Sequence, residues 1–157
     1  MERKRSQQRG FTLMELLIVI AIILIIITIA LPKFTAAQRF ARETAAMAAI
    51  RTIHTMEVQY YSQYGKYATA LTEFGPPASG AAAGPAGADL IDSTLSTGEK
   101  GGYKFVLAAN GGGYMINANP INFGVSGSRT FFSDQSMVLR QNFGQEPATL
   151  NSPEVKQ

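Results

Sequence analysis

Gly10-Phe11-Thr12-Leu13-Met14-Glu15 opens a run that reaches Leu31 without a second charged side chain. From Phe11 to Leu31 there are 21 residues. At the α-helical rise such a span is roughly 31 Å long, the thickness of a bilayer's hydrocarbon core. It is therefore long enough to cross a membrane. One acid, Glu15, sits near its start. An ionised carboxylate at the centre of a membrane helix costs about 2.5 to 3.5 kcal/mol, so an acid retained inside such a span marks a functional position that needs a partner. Before the span, Arg3, Lys4, Arg5 and Arg9 stand against Glu2 alone. By the positive-inside tendency this predicts a cytoplasmic amino end and a non-cytoplasmic remainder.

The formal charge of +3 comes from 14 basic and 11 acidic side chains. Removing the first ten residues takes away four basic groups and one acid, which leaves ten of each. The excess is thus a topology signal, and the rest of the chain gives no electrostatic reason to bind nucleic acid. Cysteine is absent, which excludes disulfides and thiolate metal sites.

The stretch GFTLMELLIVIAIILIIITIALPKF, residues 10–34, resembles the amino-terminal signature of type IV pilins and of the pseudopilins of type II secretion. In that family a membrane aspartic peptidase cuts after the glycine and methylates the new terminal residue. The resemblance implies that Gly10 ends a leader, that Phe11 is the mature, N-methylated terminus, that Glu15 forms the assembly salt bridge, and that Pro32 kinks the helix. Two physical readings of Glu15 stand side by side. Cleavage would create an ammonium at Phe11, and in staggered subunits the carboxylate of one copy can meet the amine of another, which sets an axial register. Thr12-x-x-Glu15 also fits a capping box. A competing reading of the whole terminus is an ordinary secretory signal, with small residues Thr28-Ile29-Ala30 before a cut at Leu31. The length of the apolar run and the acid within it argue against that.

Past Leu31, Pro32 removes a backbone donor, after which Lys33 to Tyr64 is Ala-rich and free of Gly and further Pro. At 100° per residue, Ala46, Ile50, Ile53, Glu57, Tyr60, Tyr61 and Tyr64 share a broad sector that predicts packing on a sheet, with Thr52, Thr55, Gln59 and Ser62 opposite. His54 and Glu57 lie within reach of one another. They read as a partly buried hydrogen-bonded pair, or as a Glu aimed at a neighbouring subunit, rather than as a metal or acid–base site. Arg39, Arg42, Glu43 and Arg51 read as a mixture of solvated face and filament contacts. The aromatic series Phe34, Phe40, Tyr60, Tyr61, Tyr64 and Tyr67 reads as packing rather than as a path for electrons.

Gly65 suits a left-handed helix cap. Leu71 and Phe74 read as loop anchors, and Gly75 to Gly87 as a flexible surface loop of low complexity. Ala88 to Ser96 reads as a short helix. Tyr103 to Ala108 and Tyr114 to Ala118 read as strands around a glycine-rich turn, and Thr130 to Ser133 with Met137 to Asn142 as a second hairpin around Asp134-Gln135. The expected fold is α+β, pilin-like, with a long amino-terminal helix, transmembrane and then amphipathic, packed on a small antiparallel sheet. Its parts are a leader (1–10), a transmembrane or filament-core helix (11–32), the amphipathic half of the helix (33–64), a variable loop (65–102), the sheet (103–144) and a loose tail (145–157).

No catalytic constellation is visible, since there is one His, no phosphate loop in a strand-to-helix setting, and no identifiable base beside a serine such as Ser126 or Ser133. No metal site and no cofactor is expected; the late acids Asp134, Glu146 and Glu154 form no compact calcium cluster. The reading is a non-enzymatic prepilin that is processed, methylated and polymerised at the bacterial inner membrane into a periplasmic or extracellular filament. The alternatives are a type II secretion pseudopilin, and a membrane-anchored or secreted binding domain that does not polymerise. The resemblance implies as partners further copies of the chain, a prepilin peptidase with methyltransferase activity, a platform protein and an assembly ATPase.

Overall fold

The computed structural model of the chain describes residues 11–79, 81–110 and 112–156. The expected leader, including Gly10, lies outside them, as does Gly111 of the expected glycine turn. The chain divides into two compact units, one ending at Ala36 and one running from Ala37 onward. We call the second the head.

Helix α1 spans Leu13–Tyr64, 52 residues with Pro32 inside it. Gly65 ends it as expected: its φ is +68°, and its amide donates to the Tyr61 carbonyl at 2.8 Å. A left-handed residue there costs a Cβ nothing only if the residue is glycine. After a 3-10 turn at Leu71–Phe74 comes α2 (Ser93–Ser96), then five strands: β1 (Glu99–Lys100), β2 (Tyr103–Asn110), β3 (Gly113–Pro120), β4 (Thr130–Asp134) and β5 (Arg140–Asn142). They form one antiparallel meander in sequence order. The α+β expectation therefore holds.

Burial alternates along β2, so Tyr103, Phe105 and Leu107 face the core while Lys104 and Val106 face out. That is the period-two signature of a sheet covered on one side. Tyr114, Ile116 and Ala118 from β3 and Phe131 from β4 join them, and within the head Ala46, Ala49, Ile50, Ile53 and Tyr60 from α1 complete the cluster. The expected stripe on α1 is confirmed from Ala46 to Tyr60. Tyr61, by contrast, is exposed and Tyr64 only half-buried, because the buried series Glu43, Ala46, Ile50, Ile53, Glu57, Tyr60 has turned past Tyr61.

Several local expectations need correction. Ala88 to Ser96 is helical only over its last four residues. Asp89 has φ +54°, and Asp92 is itself the cap, accepting from the Leu95 amide at 2.9 Å. The segment before it runs extended beside the 3-10 turn, with the Ala88 amide on Glu73 O at 2.8 Å and the Leu90 amide on Phe74 O at 2.7 Å. The second hairpin has a wider turn than its sequence suggests. Asp134 accepts from the Ser136 amide, Met137 sits at φ +61°, and pairing resumes only at Arg140. The segment from Gln145 is pinned. Ala148 is buried and its carbonyl accepts from Asn117 Nδ2 at 3.1 Å. The Gln141 amide donates to Pro153 O and the Val155 amide to Leu139 O, both at 2.9 Å.

Candidate functional site

Among the described residues, α1 is the one helix long and apolar enough to cross a membrane. Every large apolar side chain from Phe11 to Leu31 is exposed in the isolated chain. A helix apolar all round, with nothing covering it, is suited to lipid or to other helices rather than to water. Its polar atoms are dealt with locally. Thr28 Oγ1 donates to Ile25 O at 2.7 Å and Thr35 Oγ1 to Pro32 O at 3.0 Å.

Glu15 forms the capping box with Thr12. Its Oε2 accepts from the Thr12 amide and hydroxyl, both at 2.8 Å, while the Glu15 amide donates to Thr12 Oγ1 at 3.2 Å. This satisfies donors that a helix start otherwise leaves bare. One carboxylate oxygen does all the accepting. Among the described residues Oε1 receives no hydrogen bond, so half of the group remains available for a cation.

In the head, Glu43 is neither solvated nor an outward contact. It is buried, and Oε2 meets Arg129 Nη2 at 2.7 Å and Nε at 2.8 Å. Its Oε1 accepts from the Ser128 amide at 2.7 Å and hydroxyl at 2.8 Å. Burial pushes this carboxyl up, but the Ser128 donors and the Arg129 guanidinium outweigh it and hold the group below its usual range. Two more arginines work on the same side. Arg39 Nη1 donates to Gly124 O at 3.1 Å and Arg42 Nη1 to Val125 O at 3.4 Å. Sequence reading missed this anchor because its halves are 86 residues apart, beyond any local pattern.

His54 and Glu57 do not pair with each other, contrary to expectation. His54 Nδ1 lies 2.7 Å from the Tyr114 hydroxyl and Nε2 lies 2.8 Å from Ser133 Oγ. Because Ser133 donates its own proton to Val138 O, the network assigns the proton to Nε2 and makes Nδ1 the acceptor. Burial lowers the imidazole's pKa, against a smaller upward pull from Asp134. The serine brought to this base is itself fully buried, so the pair is a strut between helix and sheet. Glu57 is 0% exposed; Oε2 accepts from the Ala68 amide at 3.1 Å, and among the described residues Oε1 has no partner. Burial, opposed by the Ala68 amide and aided by the nearby Glu73 charge, pushes it up to about 7. Glu73 in turn holds the loop: its Oε1 accepts from the Thr69 amide and hydroxyl, and the Tyr60 hydroxyl lies 2.7 Å from both Glu73 Oε2 and Pro85 O. The tyrosines pack on one another, Tyr61 on Tyr67 at 4.7 Å and Tyr67 on Tyr114 at 5.1 Å between ring centres. Among the described residues no three His, Cys, Asp or Glu side chains converge as a metal site would require.

The described features combine an uncovered apolar helix with a capped acid at its start and a separate α+β head. Residues 5–31 match the family model described as the prokaryotic N-terminal methylation motif. The chain is also 33% identical, over 73 residues, to the type IV major pilin protein PilA of Myxococcus xanthus (strain DK1622). That match covers 46% of this chain and 33% of the relative, so it spans about a third of the pilin's length. No solved structure matches the chain significantly. Motif, relative and architecture together make the chain similar to type IV pilins, with a methylation-type motif at its amino terminus.

Proposed function

We propose that the chain is the structural subunit of a type IV pilus-like filament, cut between Gly10 and Phe11, N-methylated at Phe11, and polymerised from the inner membrane with its amino end initially cytoplasmic. It has no catalytic role of its own. The observation that carries this reading is the single acid inside an uncovered apolar helix, with one carboxylate oxygen capping the helix and the other free. Cleavage supplies an ammonium one residue before Thr12. Pairing that ammonium with Glu15 Oε1 of an adjacent copy neutralises both charges in apolar surroundings and leaves the cap intact. The relative being a major pilin supports a pilus over a secretion pseudopilus. Pro32 fits the same scheme, because the donor it lacks would have served the Thr28 carbonyl, and a helix with a missing rung bends there more readily. The peptidase, platform protein and ATPase implied by the family are the corresponding partners.

The discriminating experiment compares Glu15→Gln with Thr12→Ala in a host that processes prepilins. Glu15→Gln keeps an oxygen that can cap but removes the charge, so it should be cut and methylated at Phe11 yet enter filaments poorly. Thr12→Ala removes the cap at a cost of about 1 kcal/mol and should still assemble. Mass spectrometry of the amino terminus and electron microscopy of sheared filaments are the readouts. Normal filament yield from Glu15→Gln, or an uncut wild-type chain, contradicts the reading.

A further inference from the structure

The connection between β3 and β4 combines exposed apolar side chains with two guanidinium groups held against its backbone. The Val125 and Ser126 amides donate to Asn122 O at 3.0 and 2.9 Å, and the Gly124 amide donates to Gly127 O at 2.7 Å. Buried Ser126 closes the turn by accepting from the Asn122 amide and donating to its carbonyl, both at 3.0 Å. From α1, Arg39 Nη1 reaches Gly124 O and Arg42 Nη1 reaches Val125 O. On this braced frame Ile121 is 49%, Phe123 37% and Val125 67% exposed.

The charge around the loop is one-sided. A guanidinium carries five N–H donors, and among the described residues Arg39 and Arg42 each use one, on the loop, and meet no carboxylate. Glu43, the next acid along α1, is buried and already answered by Arg129, so it does not cancel them. None of residues 121–128 is charged, and between Glu15 and Glu43 the chain holds Lys33, Arg39 and Arg42 but no acid. The chain itself limits how far this surface can lie from the apolar span. Arg39 follows Leu31 by eight residues, which is about 12 Å along a helix and at most about 28 Å of extended chain. The helical distance is close to the depth of a headgroup layer plus the reach of an arginine side chain.

We infer that this loop is a membrane-surface anchor: Ile121, Phe123 and Val125 enter the headgroup boundary of the bilayer that residues 11–31 span, while Arg39 and Arg42 bind the phosphates of anionic lipids there. The inference rests on the membrane-spanning part of the reading above and adds a second contact with the bilayer, made before assembly. Charge selects lipid over another apolar partner. A second apolar helix would cover the three side chains but leave two guanidiniums without an anion. A lipid surface supplies both, since phosphate accepts from the guanidiniums and the acyl boundary receives the apolar groups. Side chains already held in place also lose less freedom when they are covered.

Because the chain has no cysteine, Val125→Cys gives a single site for an environment-sensitive nitrobenzoxadiazole label. The full-length labelled chain is reconstituted at low density into vesicles of phosphatidylcholine alone, or of phosphatidylcholine with an equal part of phosphatidylglycerol. In the anionic vesicles the emission should shift to the blue and be quenched by lipid-borne nitroxide, with the docked state favoured about tenfold over neutral vesicles. Salt at about 1 M, which shortens the screening length to about 3 Å, should remove that preference. Arg39→Gln combined with Arg42→Gln should remove it too, and the salt series keeps the test decisive if the pair also supports the fold. The same label at Val58, 53% exposed and sixteen residues beyond Arg42 on α1, should remain in water in both lipids. A label at 125 that stays in water, quenching that is equal in the two lipids, or a preference that survives high salt overturns the anchor and leaves the span standing. A blue shift without lipid quenching that grows with protein density identifies a second copy as the occupant and overturns it as well. A chain that does not float with the vesicles overturns both anchor and span.

Discussion

Glu57 should make the head less stable as pH rises from mildly acidic to neutral, and Glu57→Gln should remove that dependence. The carboxyl is fully buried, has one oxygen on the Ala68 amide and one without a partner among the described residues, and feels the charge of a second carboxylate at Glu73. Tyr60 and Tyr114 also lie within its field, and neither carries a positive charge. The folded-state pKa is raised from 4.5 to about 7. Between those two values the folded chain binds more protons than the unfolded one, so stability is greatest below the lower value and falls as pH climbs through the upper. At 1.36 kcal/mol per unit, a shift of this size corresponds to at most about 3 kcal/mol. For a domain of this size that is about 10 °C in melting temperature. The assay is thermal unfolding of the full chain in neutral detergent, followed by near-ultraviolet circular dichroism of the tyrosines, at intervals from pH 4.5 to 8. His54 has a depressed pKa and changes stability in the opposite sense over part of this window. The informative quantity is therefore the difference between wild type and Glu57→Gln. A difference that is flat, or that favours wild type as pH rises, refutes the reasoning.

The remaining predictions concern the same head. Glu43→Ala leaves the Arg129 guanidinium and the Ser128 donors without their acceptor, and should cost about 3 to 5 kcal/mol in urea unfolding. Because the Glu43 carboxyl sits below its ordinary value, wild type should lose this contribution as pH falls below 4.5, whereas the variant has none to lose. His54, the chain's one histidine, should titrate in nuclear magnetic resonance with a midpoint below 6.5. Its contribution to stability should be lost as pH drops through that midpoint. Gly127→Ala should destabilise the head by about 1 to 3 kcal/mol, read as a lower melting temperature, since a Cβ has no room against Tyr103.

What the sequence revealed and what it hid follow the range of the interactions. The apolar span, the capping box at Thr12 and Glu15, the buried stripe from Ala46 to Tyr60 and the strands at Tyr103 and Tyr114 all rest on periodicities of two to four residues. The first five residues of the expected helix at Ala88, which are not helical, and the narrow turn expected at Asp134-Gln135 show the limit of that scale. In each a single residue in the left-handed region, Asp89 or Met137, redirected the backbone with no glycine to announce it. The tail from Gln145 looked loose because it lacks a hydrophobic run. It is held by backbone pairing and by one buried alanine, neither of which leaves a pattern. His54 found Ser133 and Tyr114 rather than its neighbour Glu57 because the sheet offered two hydroxyls at the right depth, 60 and 79 residues away.

The two units treat charge in opposite ways. In the head, Glu43 is matched to a guanidinium and two serine donors, and Glu73 to Thr69 and Tyr60, so these two anions have their partners within the chain, while half-matched Glu57 is pushed by burial toward its neutral form. Glu15 has a single partner residue, Thr12, and its second oxygen takes nothing from the described residues. In lipid, neighbouring tails are as apolar as the helix, so burial gives no preference for one copy over another. An unmatched charge does give one. Under the filament reading, Glu15 therefore selects the register while the chain is still in the membrane. Once helices leave lipid, about 25 cal/mol per Å² of apolar area kept from water holds the register in place. Removing the charge should thus impair the start of assembly without weakening filaments already made. Shearing and heating preformed filaments that incorporate a minority of Glu15→Gln subunits would separate these two roles.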